Sequence, residues 1–521
     1  MARHRAPGLR RLAAVSAASV IVAATLTATT SVDAPAAVPP APPWAGFAND
    51  ARHTGVAPAS PQPLAHVRWH VRVDRDPPTY GDEGGPIAHY ASPMVTSGNT
   101  VVVPTRIGAS QGSEVIAYAG SDGTKKWSLP TDYTVPVGAQ DQWPPPIPAG
   151  LLDDRHVAVA AAGGTLLVRA RADHDTGRIR RLAFYGMQQW RAHRAAYRKA
   201  VQITTPLTTG PDGSVYFGFS ATADAPGRLR SGFARISPSG EGSWVSARRL
   251  AGVHGATAVA LNCAPALSNS GRTGYVAVVT GTRGRLVAFN AATLHPRYQH
   301  RLRDPQTQEW AVLSGSSTAA PTVGPDGDVY FGVLGYPLLE HDDRGWLLHF
   351  DRHLTTLERP GSFGWDSTVS VVPAASVPSY AGTSSYLLVS KYNNYGGVGE
   401  YGDGRNEIAL LDPHATQLDR FSTVRVMREV RTVLSPLHPP DTPDDYRYEW
   451  CINSIAVDPA TGSAIANNED GHLYRWDLDS GQLTESIQLG QPRGQAYTMT
   501  VIGPDGTSYA IENAVLYAVG S

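Results

Sequence analysis

Cysteine is nearly missing from this chain: Cys263 and Cys451 are the two in 521 residues. Two cysteines build neither a disulfide framework nor a cysteine metal cluster. Lysine is scarce as well, four residues against forty arginines, which reads as a coding bias rather than a physical device. Charged residues make up 17% of the chain and the net charge is −1 at pH 7. No strong charge of either sign is available to draw the chain to nucleic acid or to a membrane surface. Beyond the N-terminus, no stretch reaches the ~18 apolar residues that span a bilayer. The Gly-x-Ser-x-Gly elbow, the P-loop, the dinucleotide fingerprint and the His-Glu-x-x-His pair are all missing. Paired acids such as Asp342-Asp343 and Asp444-Asp445 fall in loops and read as solvated. With no catalytic constellation in view, the chain reads more as a binding protein than as an enzyme.

Glycine (52) and proline (41) are abundant, which is a turn-rich β composition. One phrase recurs: Gly210-Pro-Asp-Gly213, Gly324-Pro-Asp-Gly327 and Gly503-Pro-Asp-Gly506, each followed by a strand-like run. Proline presets φ, aspartate caps the turn, and the second glycine takes φ > 0. Each copy is a hairpin corner, and the recurrence is an internal repeat.

The first residues read as an export signal. Arg3, Arg5, Arg10 and Arg11 precede an Ala/Val-rich run over 12–28, with small residues after it. Residues 1–36 are expected to be signal and leader, 37–66 an N-terminal extension, and 67–521 one folded domain. The expected location is secreted or cell-envelope, with no membrane span in the mature chain.

Along 67–521 the same four-strand sentence occurs eight times. The units start near Ser92, Pro146, Thr204, Asn262, Thr318, Trp365, Trp450 and Tyr497. Sheets of this size bury their faces only by stacking on one another, so the pattern predicts an all-β, eight-bladed β-propeller of four-stranded antiparallel blades. The eighth unit has three strands, and 67–73 is a spare strand at the other end. Pairing the two is expected to close the ring and cover both edges. Residues 187–200 predict one short helix, and 434–445 a loop. Cys263 and Cys451 open blades four and seven at like positions, across the channel from each other. They are expected to stay unpaired, because a disulfide needs Cα atoms within about 7 Å.

The third and fourth strands resemble the pyrroloquinoline-quinone-like (PQQ-like) repeat of exported β-propellers, whose docking motif reads A-x-D-x-x-T-G-x-x-x-W. Blade one keeps Ala117, Gly123 and Trp127, with Ala119 and Asp122 where Asp and Thr belong. Blade seven keeps Asp477, Ser480 and Gly481 but has Arg475 and Glu485 at the ends. Blade four keeps Ala288, Asn290 and Thr293 and departs at Leu294 and Tyr298. The opening at 44–55 is similar to the leader of such proteins. Quinoprotein dehydrogenases of this superfamily use an adjacent Cys-Cys disulfide and a Ca²⁺ beside the quinone. This sequence has no Cys-Cys pair, so the resemblance implies the fold without the PQQ cofactor. Trp476-Asp477 occurs once and does not make a WD40 repeat.

In a propeller, residues just before the innermost strands gather at one channel mouth. His89, Tyr90, Asn262, Trp365, Asp366, Asn453 and Tyr497 are therefore the candidate ligand-binding residues, suited to a small polar ligand or glycan. Asn393, Asn394, Asp403 and Asn406 lie in an unusual Gly/Asn/acid-rich segment, where hard oxygens would suit Ca²⁺. The leading reading is a monomeric, non-catalytic ligand-binding or protein-scaffolding module. A divergent quinoprotein oxidoreductase and a Ca²⁺-assisted carbohydrate-active enzyme are the alternatives.

Overall fold

The computed structural model describes residues 41–79, 89–108, 112–134, 147–313, 319–337, 341–355, 358–395, 404–440, 442–443, 445–492 and 498–521. They form an eight-bladed β-propeller of antiparallel sheets. Blade one is Met94–Val95, Thr100–Gly108, Gly112–Ala119 and Lys125–Thr131, paired in that order. Blade seven repeats the plan with Ala456–Asp458, Ser463–Asn467, His472–Asp477 and Leu483–Gln488. In blade five, Thr322–Val323, Val329–Val333 and Trp346–Phe350 are regular, and the fourth position is held by one bridge between Leu347 and Gly361. The last sheet runs His66–Arg72, Val515–Gly520, Ser508–Glu512, Val501–Ile502, so its outer strand comes from the other end of the chain.

The repeated turn has one geometry in all three copies. Asp212, Asp326 and Asp505 each accept, through Oδ1, the backbone N–H two residues on, at 2.9–3.0 Å. Gly213, Gly327 and Gly506 each take φ between +76° and +97°. The docking motif also works as its residues imply. Trp127 Nε1–H donates to the Ala172 carbonyl of blade two at 2.7 Å, with the Arg169 guanidinium 4.0 Å from its ring. In blade four Asn290 caps the same turn, and Leu294 occupies the φ > 0 corner that glycine holds elsewhere. Leu294 keeps that place because its side chain is buried in the core between blades three and four.

Two details differ from the sequence reading. The helix expected over 187–200 is two, Met187–Ala192 and Arg194–Ala200, with His193 between them in a non-helical conformation. Trp190 and Tyr197 bury one face of the pair. Strand Arg425–Leu434 extends into the segment read as a loop, which begins at Ser435.

Residues 44–62 do more than precede the propeller. They pass along one end of the channel, bonding in turn to residues at or near the ends of the innermost strands. Val95 exchanges both backbone bonds with Trp44, and Leu151 N–H donates to Ala45 O. Leu267, Val323 and Val371 donate to Ala51, Arg52 and Thr54, and Val457 donates to Gly55 at 2.9 Å. Blades one, two, four, five, six and seven are each held at an equivalent position. Trp44, Ala48, His53 and Thr54 are buried by this arrangement. Among the described residues no such bond is made to blade three or blade eight, and beside blade three a cleft of about 460 Å³ lies between the leader and Leu207–Pro211. Gly55 passes so close to blades six and seven that a Cβ there would meet Ser370 Oγ and lie 2.8 Å from Ile455 O.

Candidate functional site

Each innermost strand runs from the opposite mouth toward the leader, and each second strand runs back. Polar residues before first strands and at the ends of second strands therefore meet at the mouth away from the leader. There the structure unites part of the candidate set. Tyr90, Asn453 and Thr498 line a narrow channel cavity of about 30 Å³ whose floor is Phe47 of the leader. Tyr90 is buried, and its hydroxyl donates to Asp74 Oδ2 at 3.2 Å, which also pairs with Arg106 Nε at 3.4 Å. Burial holds the Asp74 carboxyl above its usual range, against the pull of Arg106. Asn453 Nδ2–H donates to Asp366 O at 3.3 Å, tying blade seven to blade six.

The other candidates serve the corners. Asn262 and Asp366 both have φ between +50° and +65° immediately before inner strands, a conformation these two residue types tolerate best. Asn262 N–H donates to Thr204 O, and its buried side-chain nitrogen Nδ2 has no hydrogen-bond partner among the described residues. Trp365 is half-buried and meets the Tyr395 ring edge-on at 6.4 Å. His89 is buried beside Tyr90. Tyr497 lies outside the described residues, as does Asp403.

Two of the asparagines expected to suit Ca²⁺, Asn393 and Asn406, bond to backbone groups. Asn393 accepts from Trp450 N–H at 3.1 Å and donates back to Trp450 O at 3.4 Å, imitating a strand pair between blades six and seven. Asn406 accepts from Asn394 N–H at 3.0 Å and donates to Arg447 O at 2.8 Å. Polar side chains at strand ends are used here to satisfy buried peptide groups.

A denser cluster at this mouth was not singled out in the sequence. Glu449, Cys451 and Glu469 place a carboxylate oxygen, a thiol sulfur and a second carboxylate oxygen within 4.8 Å of one another. Cys451 Sγ–H donates to Glu449 Oε2 at 3.6 Å. Glu449 is partly exposed as a residue, but its carboxyl faces the buried thiol. Burial and the like charge of Glu469 push it up to about 8, with Lys391 pulling the other way. Burial and Glu469 thus favour the protonated form of Glu449, which can donate a hydrogen bond. Lys391 is buried, its ammonium 5.7 Å from the Phe363 ring and without a hydrogen-bond partner among the described residues. Glu512, at the end of blade eight's second strand, is buried too, and burial beside Glu469 and Asp470 raises its carboxyl far above the usual range. These groups come from blades six, seven and eight, far apart in sequence. Together they offer carboxyls, a thiol and an ammonium, which is hydrogen-bonding chemistry for a polar ligand.

A second buried network lies between blades five and six. His341 Nε2 is 3.0 Å from Asp419 Oδ2 and 3.2 Å from Ser362 Oγ, which itself donates to Asp419 Oδ1. Burial favours a neutral Asp419, yet the bonds from His341, Ser362 and Ser422 overcome it and hold the carboxyl at about 2. Serine and aspartate share one histidine nitrogen, so no relay from serine through histidine to aspartate exists. The fully buried trio is structural.

No family model matches the chain, and no curated protein matches it by sequence. Solved structures do. A europium-containing methanol dehydrogenase superposes with TM-score 0.54 at 11% identity, over 90% of this chain and 89% of that one. The quinohemoprotein alcohol dehydrogenase of Comamonas testosteroni gives 0.53 at 12%, over 92% of this chain and 77% of that one. A quinohemoprotein alcohol dehydrogenase from Pseudomonas putida HK5 gives 0.53 at 12%, over 92% and 76%. At such identities the likeness is one of fold alone: the chain shares the β-propeller architecture of these structures.

Proposed function

We propose that this chain is an exported PQQ-like propeller that binds a small polar ligand, a glycan or a protein partner at the mouth framed by blades six, seven, eight and one, and carries out no redox chemistry. The observation that carries this reading is the asymmetry of the channel. One end is stoppered by the chain's own residues 44–57, and the other gathers Tyr90, Asn453, Lys391, Glu449 and Cys451. No pair of these groups stands as an activated nucleophile and its base.

The quinoprotein reading has the fold in its favour. Against it stands the donor set: the sequence has no adjacent cysteine pair of the kind that the resemblance implies for that cofactor. Both cysteines are free, so no disulfide lies beneath a planar quinone. The residues present do not fit that cofactor, and no step is derived through it.

Incubation with pyrroloquinoline quinone and Ca²⁺, followed by desalting, is expected to leave no quinone absorbance and no dye reduction with alcohols or sugars. Stoichiometric retention with dye reduction overturns the reading. Binding itself is tested on an array of neutral and acidic oligosaccharides, with Asn453→Ala and Glu449→Gln as controls. A hit lost in both variants supports the mouth as the site, and a hit unchanged in both places binding elsewhere.

A further inference from the structure

Blade four carries an arrangement that the mouth does not use. Arg285, in strand Arg283–Asn290, is in direct register with Arg301, in strand Pro296–Arg301. Like charges facing each other across a strand pair repel. Trp310, bridged to Arg303 in the segment that follows, lies against both. The guanidinium carbons of Arg285, Arg301 and Arg283 are 5.3, 5.6 and 6.0 Å from its ring centre. Partial burial, and then the positive neighbour Arg301, disfavour the charge on Arg285. Among the described residues none of the three guanidiniums has a carboxylate partner or a hydrogen bond, although most arginines around them on this blade do. Arg297 donates to Thr273 Oγ1 and Arg303 to Gln308 O. Arg283 and Arg301 are exposed, and Arg285 and Trp310 are half-exposed.

Three unpaired guanidiniums around one indole cost stability unless something neutralises them. The aromatic ring orients the planar cations, and their N–H groups remain available. A fork of N–H donors matches the geometry of a tetrahedral oxyanion, to which arginine bonds in bidentate fashion. Cation–π contact at exposed positions is weak and offsets only part of the repulsion. An anion between the guanidiniums would offset the remainder.

We infer that Arg283, Arg285, Arg301 and Trp310 form a binding site for a phosphate or sulfate ester group at the outer edge of blade four. The site is separate from the channel mouth and does not depend on what the mouth binds. The group can be free or borne by a larger ligand, such as a phosphorylated or sulfated sugar.

The test uses the full mature protein in low-salt buffer at pH 7. Inorganic phosphate, sulfate, glucose 6-phosphate and a sulfated oligosaccharide are titrated by calorimetry and by thermal shift. At least one is expected to bind and raise the melting temperature of the wild type. Arg285→Gln/Arg301→Gln is expected to weaken that binding about tenfold or more, since each lost charge-assisted contact is worth on the order of a factor of ten. The same variant is expected to melt higher than wild type without anion, because the cross-strand repulsion is gone. Arg285→Lys/Arg301→Lys keeps the charge and loses the planar fork, so it is expected to bind more weakly than wild type. Binding of the small anions places the specificity in the oxyanion, and binding of the sugar esters alone extends the site to the sugar. No binding of any of the four overturns the inference, as does equal binding by the glutamine variant.

Discussion

His53 Nδ1 lies 2.7 Å from the Pro321 carbonyl oxygen, fixing the middle of the leader to blade five. The imidazole is fully buried, its ring edge-on to Phe47 at 4.9 Å. Burial lowers its pKa from 6.5 to about 4, and the bond to Pro321 and the charge of Asp50 only partly oppose this. The unfolded chain, or an undocked leader, takes up the proton at higher pH than the native protein. The stabilisation is thus complete above 6.5 and is lost as pH falls toward 4. At 1.36 kcal/mol per unit the loss amounts to about 3 kcal/mol. Proteolysis of the leader is expected to accelerate between pH 6.5 and 4, and His53→Gln is expected to flatten that dependence. A leader equally resistant at pH 7 and pH 4.5 would count against this account.

Gly55 tests the same stopper by packing. With φ at +65° and the Ser370 hydroxyl and Ile455 carbonyl against it, this position admits no side chain. Gly55→Ala is expected to cost about 2–4 kcal/mol through positive φ and overpacking together. The expected readout is a lower melting temperature and faster cleavage within residues 41–62. Gly112→Ala, also at positive φ but in open space, is expected to cost less. Equal losses in the two variants would show that backbone conformation, not the close approach, sets the cost.

The turns were the legible part of the fold, because proline, aspartate and glycine each do a local job that a short sequence window records. Tyr90 and Asn453 were legible for a similar reason: residues before inner strands have one place to go in a propeller. The leader's stopper was not. It bonds through backbone groups, and its small residues, prolines and glycines carry no periodicity. The cluster of Lys391, Glu449 and Glu512 was hidden differently, since its members stand at separate strand ends and meet only when three blades are side by side. Asn393 and Asn406 bond to backbone groups, and an amide suited to a cation suits a peptide group equally well, so residue type alone does not separate the two roles.

Glu449 gives a prediction of opposite sign to that of His53. Its carboxyl titrates at about 8 in the fold against 4.5 in the unfolded chain, through burial and then Glu469. The unfolded state sheds its proton first, so stability is lost as pH rises from 4.5 to 8 and is flat above. Glu449→Gln keeps the shape and removes the titration. Its melting temperature is expected to match wild type near pH 4.5 and to exceed it at pH 8. A constant offset across that range would assign the residue no buried charge.

The two thiols check the blade register. Cys263 precedes the final segment of blade four's inner strand, and Cys451 precedes that of blade seven, so the channel lies between them. Both are free and buried, at 1% and 2% exposure. Burial pushes the Cys263 thiol up to about 12, which leaves almost no thiolate to react at neutral pH. Cys451 is engaged with Glu449. Thiol reagent at pH 7.5 is expected to find no reactive group on the native protein and two after denaturation without reductant. The same count is expected after air oxidation, since the sulfurs cannot meet without opening the ring. A Cys263–Cys451 linked peptide in the mass spectrum would place blades four and seven in contact and contradict the ring order described here.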